Sequence, residues 1–148
     1  MAEAAAWALK YPNAVAALLT AARFHDLTDA FEGGVWLYVP AGTSRPRIRV
    51  TAVRVVQLVP RFIDREFDEP NGIQTMEVHG TSLRLTGPDR TTLDLWRHSR
   101  HVSKEYAVDS LRRRVAKEDF DLPVFARLAR RIGVWPRVEP LLTGLVLR

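Results

Sequence analysis

At Thr86-Gly87-Pro88-Asp89 the apolar period of the chain changes from two to between three and four, and this switch constrains the fold more than any other stretch. Ahead of it, Met76 and Val78, then Leu83 and Leu85, alternate with Glu77, His79, Arg84 and Thr86 around Gly80. That is the pattern of two half-buried strands joined by a tight turn. Behind it, Gly87 suits a helix N-cap, Pro88 the first helical position, where its missing N–H would be unpaired anyway, and Asp89 the positive end of the dipole. The spacing predicts a helix to about Arg100 and another from Ser103, with Glu105 in its first turn and Val108, Leu111 and Val115 as its core stripe.

The N-terminal part supplies more helix. Residues 2 to 9 are alanine-rich, with Trp7 and Leu9, and form a short helix by propensity. Tyr11-Pro12-Asn13 interrupts it, and a second helix is expected from Asn13 to about Phe24, burying Val15, Leu18, Leu19 and Ala22. After turn-prone residues from His25 to Asp29, Gly33-Gly34 opens a strand over Val35 to Val39, apolar on both faces and so placed centrally in a sheet. Pro40 to Pro46 reads as a loop, Arg47-Ile48-Arg49-Val50 as an exposed or edge strand with arginines outward, and Ala52 to Val59 as a further strand. There Val53 and Val55 give way to Val56 and Leu58, a phase change that suggests a bulge. Phe62 to Gly72, with Pro70, Asn71-Gly72 and clustered acids, is expected as a mobile loop. Beyond Lys117, Val124, Phe125, Leu128, Ala129 and Ile132 predict a helix stopped near Gly133, then a connector from Trp135 to Pro140 and a short terminal helix from Leu141 to Leu147. The expectation is one domain over residues 1–148, α+β, with a mainly antiparallel (mixed) β-sheet flanked by N-terminal and C-terminal helices.

Composition excludes several classes. A chain of 148 residues that is 47% hydrophobic can bury a real core and is neither disordered nor fibrous. Without cysteine there is no disulfide, thiol nucleophile or thiolate metal site, which fits a reducing cytoplasm. No basic leader is present, and stretches free of charge, such as Tyr11 to Ala22, fall short of the ~20 apolar residues a membrane span needs. The formal charge is +5, and the window from Arg97 to Lys117 carries all of that excess, with seven basic residues against Glu105 and Asp109. Arg45 to Arg61 adds five arginines with no acid, balanced by Asp64, Glu66, Asp68 and Glu69. Such patches serve an anionic partner or are simply solvated.

Four constellations invite chemistry. Asp94, His98 and His101 fall on one face of a continuous helix, but Arg90 and Arg97 share that face and repel a cation, so Asp94 is read as pairing with those arginines. Asp64, Glu66, Asp68, Glu69 and Glu77 suggest a metal-dependent nuclease, yet four of them are neighbours in one loop rather than converging from separate strands. Arg112-Arg113-Arg114 with Lys117 is the strongest charge feature, but a helix turns ~100° per residue and spreads three consecutive arginines around its girth, with Asp109 able to pair with Arg112 and Arg113. Arg47 and Arg49, with Arg45 before them and Arg54 after, instead share a strand edge suited to a phosphate row or an acidic protein surface; protection of the edge is the alternative.

Tyr11-Pro12-Asn13-Ala14-Val15, the run from Leu19 to Thr28, Val35-Trp36-Leu37-Tyr38-Val39-Pro40 with the basic loop to Pro46, the hairpin from Val78 to Leu85, Pro88-Asp89-Arg90-Thr91-Thr92-Leu93-Asp94 and the run from Tyr106 to Arg112 occur in that order. In them the chain resembles the AbiEi antitoxin family of bacterial abortive-infection toxin–antitoxin systems, in the region that follows the family's N-terminal winged helix. Two positions depart: the family usually has glycine where Asp26 stands and serine where Gly87 caps the helix. The resemblance implies a non-catalytic, cytoplasmic protein that neutralises a nucleotidyltransferase-like toxin and represses its own operon. The winged helix that would read DNA, a module of about 50 to 60 residues expected upstream of Met1, is not in this chain. The alternative is a basic nucleic-acid-binding regulatory domain, and the third reading is the nuclease. Residues expected to contact a partner or nucleic acid are Arg45, Arg47, Arg49, Arg54, Arg112, Arg113 and Lys117; Pro88, Arg90, Asp94 and Trp96 are expected in motif or structural roles. No catalytic residue, metal ligand or cofactor is expected.

Overall fold

The computed structural model describes residues 1–30, 34–42 and 53–146. The elements in order are α1 (Ala2–Lys10), β1 (Val15–Ala16), α2 (Leu18–Phe24), β2 (Val35–Pro40), β3 (Val53–Leu58), β4 (Ile73–Val78), β5 (Thr81–Thr86), α3 (Pro88–Arg97), α4 (Lys104–Val115), α5 (Leu122–Arg131) and α6 (Trp135–Val146). The class is α+β, as expected. The five strands run β3-β2-β1-β5-β4 in one mixed sheet, with β1 antiparallel to β2 and β4 to β5, and β1 parallel to β5 and β2 to β3.

Each face of the sheet has its own core. Ala16, Val35, Leu37, Val39, Leu83 and Leu85 meet Ala4 and Ala8 of α1, whose small side chains let that helix lie close on the strands. Val15, Trp36, Tyr38, Val56 and Leu58 face the other way, into the larger core built with α2 to α6. This two-sided burial corrects the expected bulge. Residues from Val35 to Pro40 pair with those from Val53 to Leu58 in unbroken register; Val53 and Val55 pack on the α1 side and Val56 and Leu58 on the other. The phase change marks a strand with apolar groups on both faces. The expected strand from Arg47 to Val50 lies outside the described residues.

The expected helix from Asn13 to Phe24 is broken at its start. Val15 and Ala16 form the central strand, the Ala17 N–H donates to the Trp36 carbonyl at 3.0 Å, and Leu18, at φ 50, turns the chain into a helix of only seven residues. The alanines disguise the strand: their helix propensity is overridden because this segment is completely buried between two other strands. Thr20 secures the junction, its hydroxyl accepting from the Trp36 N–H at 2.7 Å. At its other end α2 closes in a Schellman motif, with the Leu27 N–H on the Ala22 carbonyl, the Asp26 N–H on the Arg23 carbonyl and Asp26 at φ 58. That backbone is the one glycine adopts most cheaply.

The hairpin turns through His79 and Gly80, both at positive φ, as a two-residue turn between twisted strands requires. The segment expected as a mobile loop is folded instead: residues 60–62 and 65–67 form two 3₁₀ turns that bury Ile63 and Phe67. The expected connector from Trp135 to Pro140 is the first half of α6. Trp135, Val138, Leu141, Leu142 and Leu145 supply the apolar stripe, and Pro140 forfeits only the backbone bond back to Pro136 in the first turn. Among the described residues no helix is long and apolar enough to cross a membrane.

Candidate functional site

α3 begins as expected, with Gly87 at the N-cap and Pro88 at the first position. Its cap comes from elsewhere in the chain. The Asn71 carbonyl accepts the Arg90 N–H at 2.9 Å, satisfying a donor that a capping serine would otherwise take, while the Gly87 N–H donates to the Gly72 carbonyl at 2.6 Å. The approach requires glycine, because a Cβ at residue 87 would sit 2.5 Å from the Pro70 carbonyl oxygen.

Beyond the cap, the polar face on which Asp94 was expected to pair with Arg90 and Arg97 lies inside the protein. Asp89, Arg90, Thr91, Thr92 and Asp94 are all fully buried, since α2, α4, α5 and α6 enclose the helix. The Arg90 Nε donates to both oxygens of Asp94, each at 2.9 Å, and the Tyr38 hydroxyl donates to Oδ2 at 2.9 Å. Burial and the neighbouring Asp94 carboxylate push the Tyr38 phenol well above its usual pKa and keep it a donor. Arg97, expected as a second partner of Asp94, instead lies over the Phe62 ring, 3.8 Å from its centroid. Arg90 is stacked on Phe67 at 4.9 Å, so the folded 60–72 segment holds α3 through two arginine–aromatic contacts. Trp96 is buried as well, with Lys104 5.6 Å from its ring centroid.

A second buried pair ties α4 to α3. Arg114 Nε donates to Asp89 at 2.6 Å and its Nη1 to Asp119 at 2.7 Å. Burial lifts the Asp89 pKa above the ordinary carboxylate value, with Arg114 acting in the opposite sense. For Arg114 burial lowers the pKa, but the bonds to Asp119 and Asp89 outweigh it and the net shift is upward. α4 accordingly faces the core with Ala107, Ser110, Leu111 and Arg114, a stripe rotated from the expected one, in which Val108 and Val115 are only half-buried. Ser110 is held by its hydroxyl bond to the Leu27 carbonyl at 2.9 Å.

The three consecutive arginines diverge, as helical geometry requires. Arg114 points inward, Arg113 pairs with Asp29 at 2.8 Å and Asp109 at 3.1 Å, and Arg112 is exposed. Asp109 therefore pairs with Arg113 and not, as also expected, with Arg112. Lys117 reaches Asp26 at 3.2 Å. Arg54 is exposed on β3, 5.9 Å from the Trp36 ring centroid, while Arg45, Arg47 and Arg49 lie outside the described residues.

Three of the five acidic residues are likewise engaged. Asp64 caps a 3₁₀ turn through the Glu66 N–H, Asp68 pairs with Arg84 at 2.8 Å, and Glu69 lies 3.8 Å from Arg131. Among the described residues no three His, Cys, Asp or Glu side chains are grouped to hold a metal ion. Sequence reasoning missed Asp89, Ser110 and Arg114 as buried polar partners. Only the polarity of positions 110 and 114 on a core-facing arc carried a signal, and Leu27 and Asp89, their partners in the core, lie far away in sequence. Comparison with protein-family models and with curated proteins finds no match to this chain.

Proposed function

We propose that this chain is a non-catalytic antitoxin-type module that acts in the bacterial cytoplasm and counteracts a nucleotidyltransferase-like toxin. One observation carries the reading beyond the resemblance itself. The segments that resemble the AbiEi family adjoin one another as β1, α2, β2, the hairpin, α3 and α4, and three of their ionisable residues, Tyr38, Arg90 and Asp94, bond to one another inside the core. Such burial suits a framework that presents a binding surface, whereas a reacting group must be reachable by substrate. A nucleic-acid-binding reading stands second, favoured by the exposed Arg54 and Arg112; its sign is DNA binding that weakens with salt and with charge reversal at those arginines. The test of the first reading is co-expression with the toxin encoded by the neighbouring gene. Restored growth is expected, and persistent arrest at matched levels of folded chain overturns the reading.

A further inference from the structure

The C-terminal end of α3, the α3–α4 connection and the α5–α6 turn enclose a cleft of about 500 Å³. Its ionisable lining is Arg97, His98, Arg100, His101 and Arg137, with no acidic side chain, and the Ile132–Val134 turn forms the opposite wall. The local negative groups do not balance this charge. The C-terminus of α3 offers roughly half an elementary charge, and Arg137 already reaches it, donating to the Trp96 carbonyl at 3.4 Å. Three arginines therefore line a cleft with a surplus of positive charge. Two polar atoms of this lining are also shielded from water: Arg97 Nη1 and His98 Nε2 are buried atoms with no hydrogen-bond partner among the described residues. A buried guanidinium nitrogen in that state is costly, and a small side-chain shift toward an anion in the cleft would give Arg97 Nη1 an acceptor.

We propose that this cleft binds the phosphate group of a phosphate monoester. Guanidinium forks match phosphate oxygens in geometry and charge, and two negative charges on one group answer the surplus better than a carboxylate. The volume lies within the range of small-ligand sites and exceeds what a bare phosphate fills, so an organic portion accompanies the phosphate. The same chemistry is offered by a free nucleotide and by the 5′-phosphorylated end of a nucleic acid. His98 is a built-in reporter. Burial holds its pKa down, Asp94 opposes that, and Arg97, His101 and Arg90 lower it further; a bound phosphate reverses the balance.

The test follows the histidine ring resonances of the full chain by NMR. Inorganic phosphate and adenosine 5′-monophosphate are titrated at constant ionic strength, with adenosine and chloride as controls. The expected result is saturable shifts of His98 and His101 with both phosphates at millimolar or lower concentration, a raised His98 pKa, and neither effect with the controls. Arg100→Glu and Arg137→Glu, both at exposed positions, are expected to weaken binding about tenfold or more while leaving the far-UV circular dichroism unchanged. A 5′-phosphorylated oligonucleotide that binds tighter than the mononucleotide identifies a nucleic-acid end as the source, and equal affinity identifies the free nucleotide. Shifts reproduced by chloride, undiminished binding in both variants, or equal binding of the unphosphorylated oligonucleotide would overturn the proposal.

Discussion

Replacing Arg90 and Asp94 separately and together tests whether α3 is held by an internal ion pair. Both side chains have no solvent exposure, and Nε lies 2.9 Å from each carboxylate oxygen. With an effective dielectric of about 20, charges at such a distance attract by roughly 6 kcal/mol, most of which is offset by the cost of removing both from water. Removing one partner leaves the other charged and buried, so Asp94→Leu and Arg90→Met are each expected to cost about 3–5 kcal/mol. The double variant removes both charges and leaves only the Tyr38 hydroxyl without an acceptor, a cost of about 1–3 kcal/mol. The two substitutions should therefore be far from additive, with a coupling of several kcal/mol, and adding Tyr38→Phe should recover much of the remaining loss. Urea unfolding followed by circular dichroism, with the m-value compared across the series, supplies the free energies. A double variant that costs the sum of the singles would refute the pairing. So would an Asp94→Leu variant within about 0.5 kcal/mol of the parent, the usual effect of an unconstrained surface site.

Three further outcomes follow from local geometry. Gly87→Ser introduces the residue usual in the resembled family, yet its Cβ meets the Pro70 carbonyl oxygen at 2.5 Å; displacing that segment should cost about 1–3 kcal/mol, and a raised melting temperature would contradict it. At Asp26, φ 58 makes alanine unfavourable by about 1–2 kcal/mol, whereas glycine relieves the backbone by about as much as it loses in the exposed Lys117 pair. Asp26→Gly should thus unfold at or above the parent temperature and Asp26→Ala below it; the reverse order would exclude the left-handed cap. Burial depresses the pKa of both His25 and His98. Their contribution to stability is complete above an unfolded pKa of about 6.5 and is lost as pH falls through the lower folded values. The melting temperature should accordingly fall from pH ~7 towards pH ~5.5 and fall less in His25→Gln; identical slopes for the two proteins would remove His25 from the account.

The period switch at residues 86 to 89 was legible because hairpin and helix signals are local: alternation, Gly80, Pro88 and the glycine stop at residue 133 all act within a few residues. β1 was not. Val15 and Ala16 make a strand only because β2 and β5 occupy both sides, and nothing in Ala14-Val15-Ala16-Ala17 announces those neighbours. α6 was half-legible, since Pro136 and Pro140 argue against a helix until the stripe from Trp135 to Leu145 is counted against them. At the site, helical spacing found the Arg90–Asp94 pair and the divergence of Arg112 to Arg114, but it carried no sign that the pair is buried. Burial of Arg90, Asp94 and Arg114 depends on helices that arrive later in the chain, so their environment is a property of the assembled layers.

Growth rescue by variants of the buried network tests the central claim most directly. Cells expressing the toxin proposed as this chain's target are grown with the parent chain or with Tyr38→Phe, each at matched soluble level and at a temperature where both remain folded by circular dichroism. If the Tyr38–Asp94–Arg90 network is framework, both proteins restore growth equally. Rescue by the parent and none by folded Tyr38→Phe would make the network part of the activity and contradict the account.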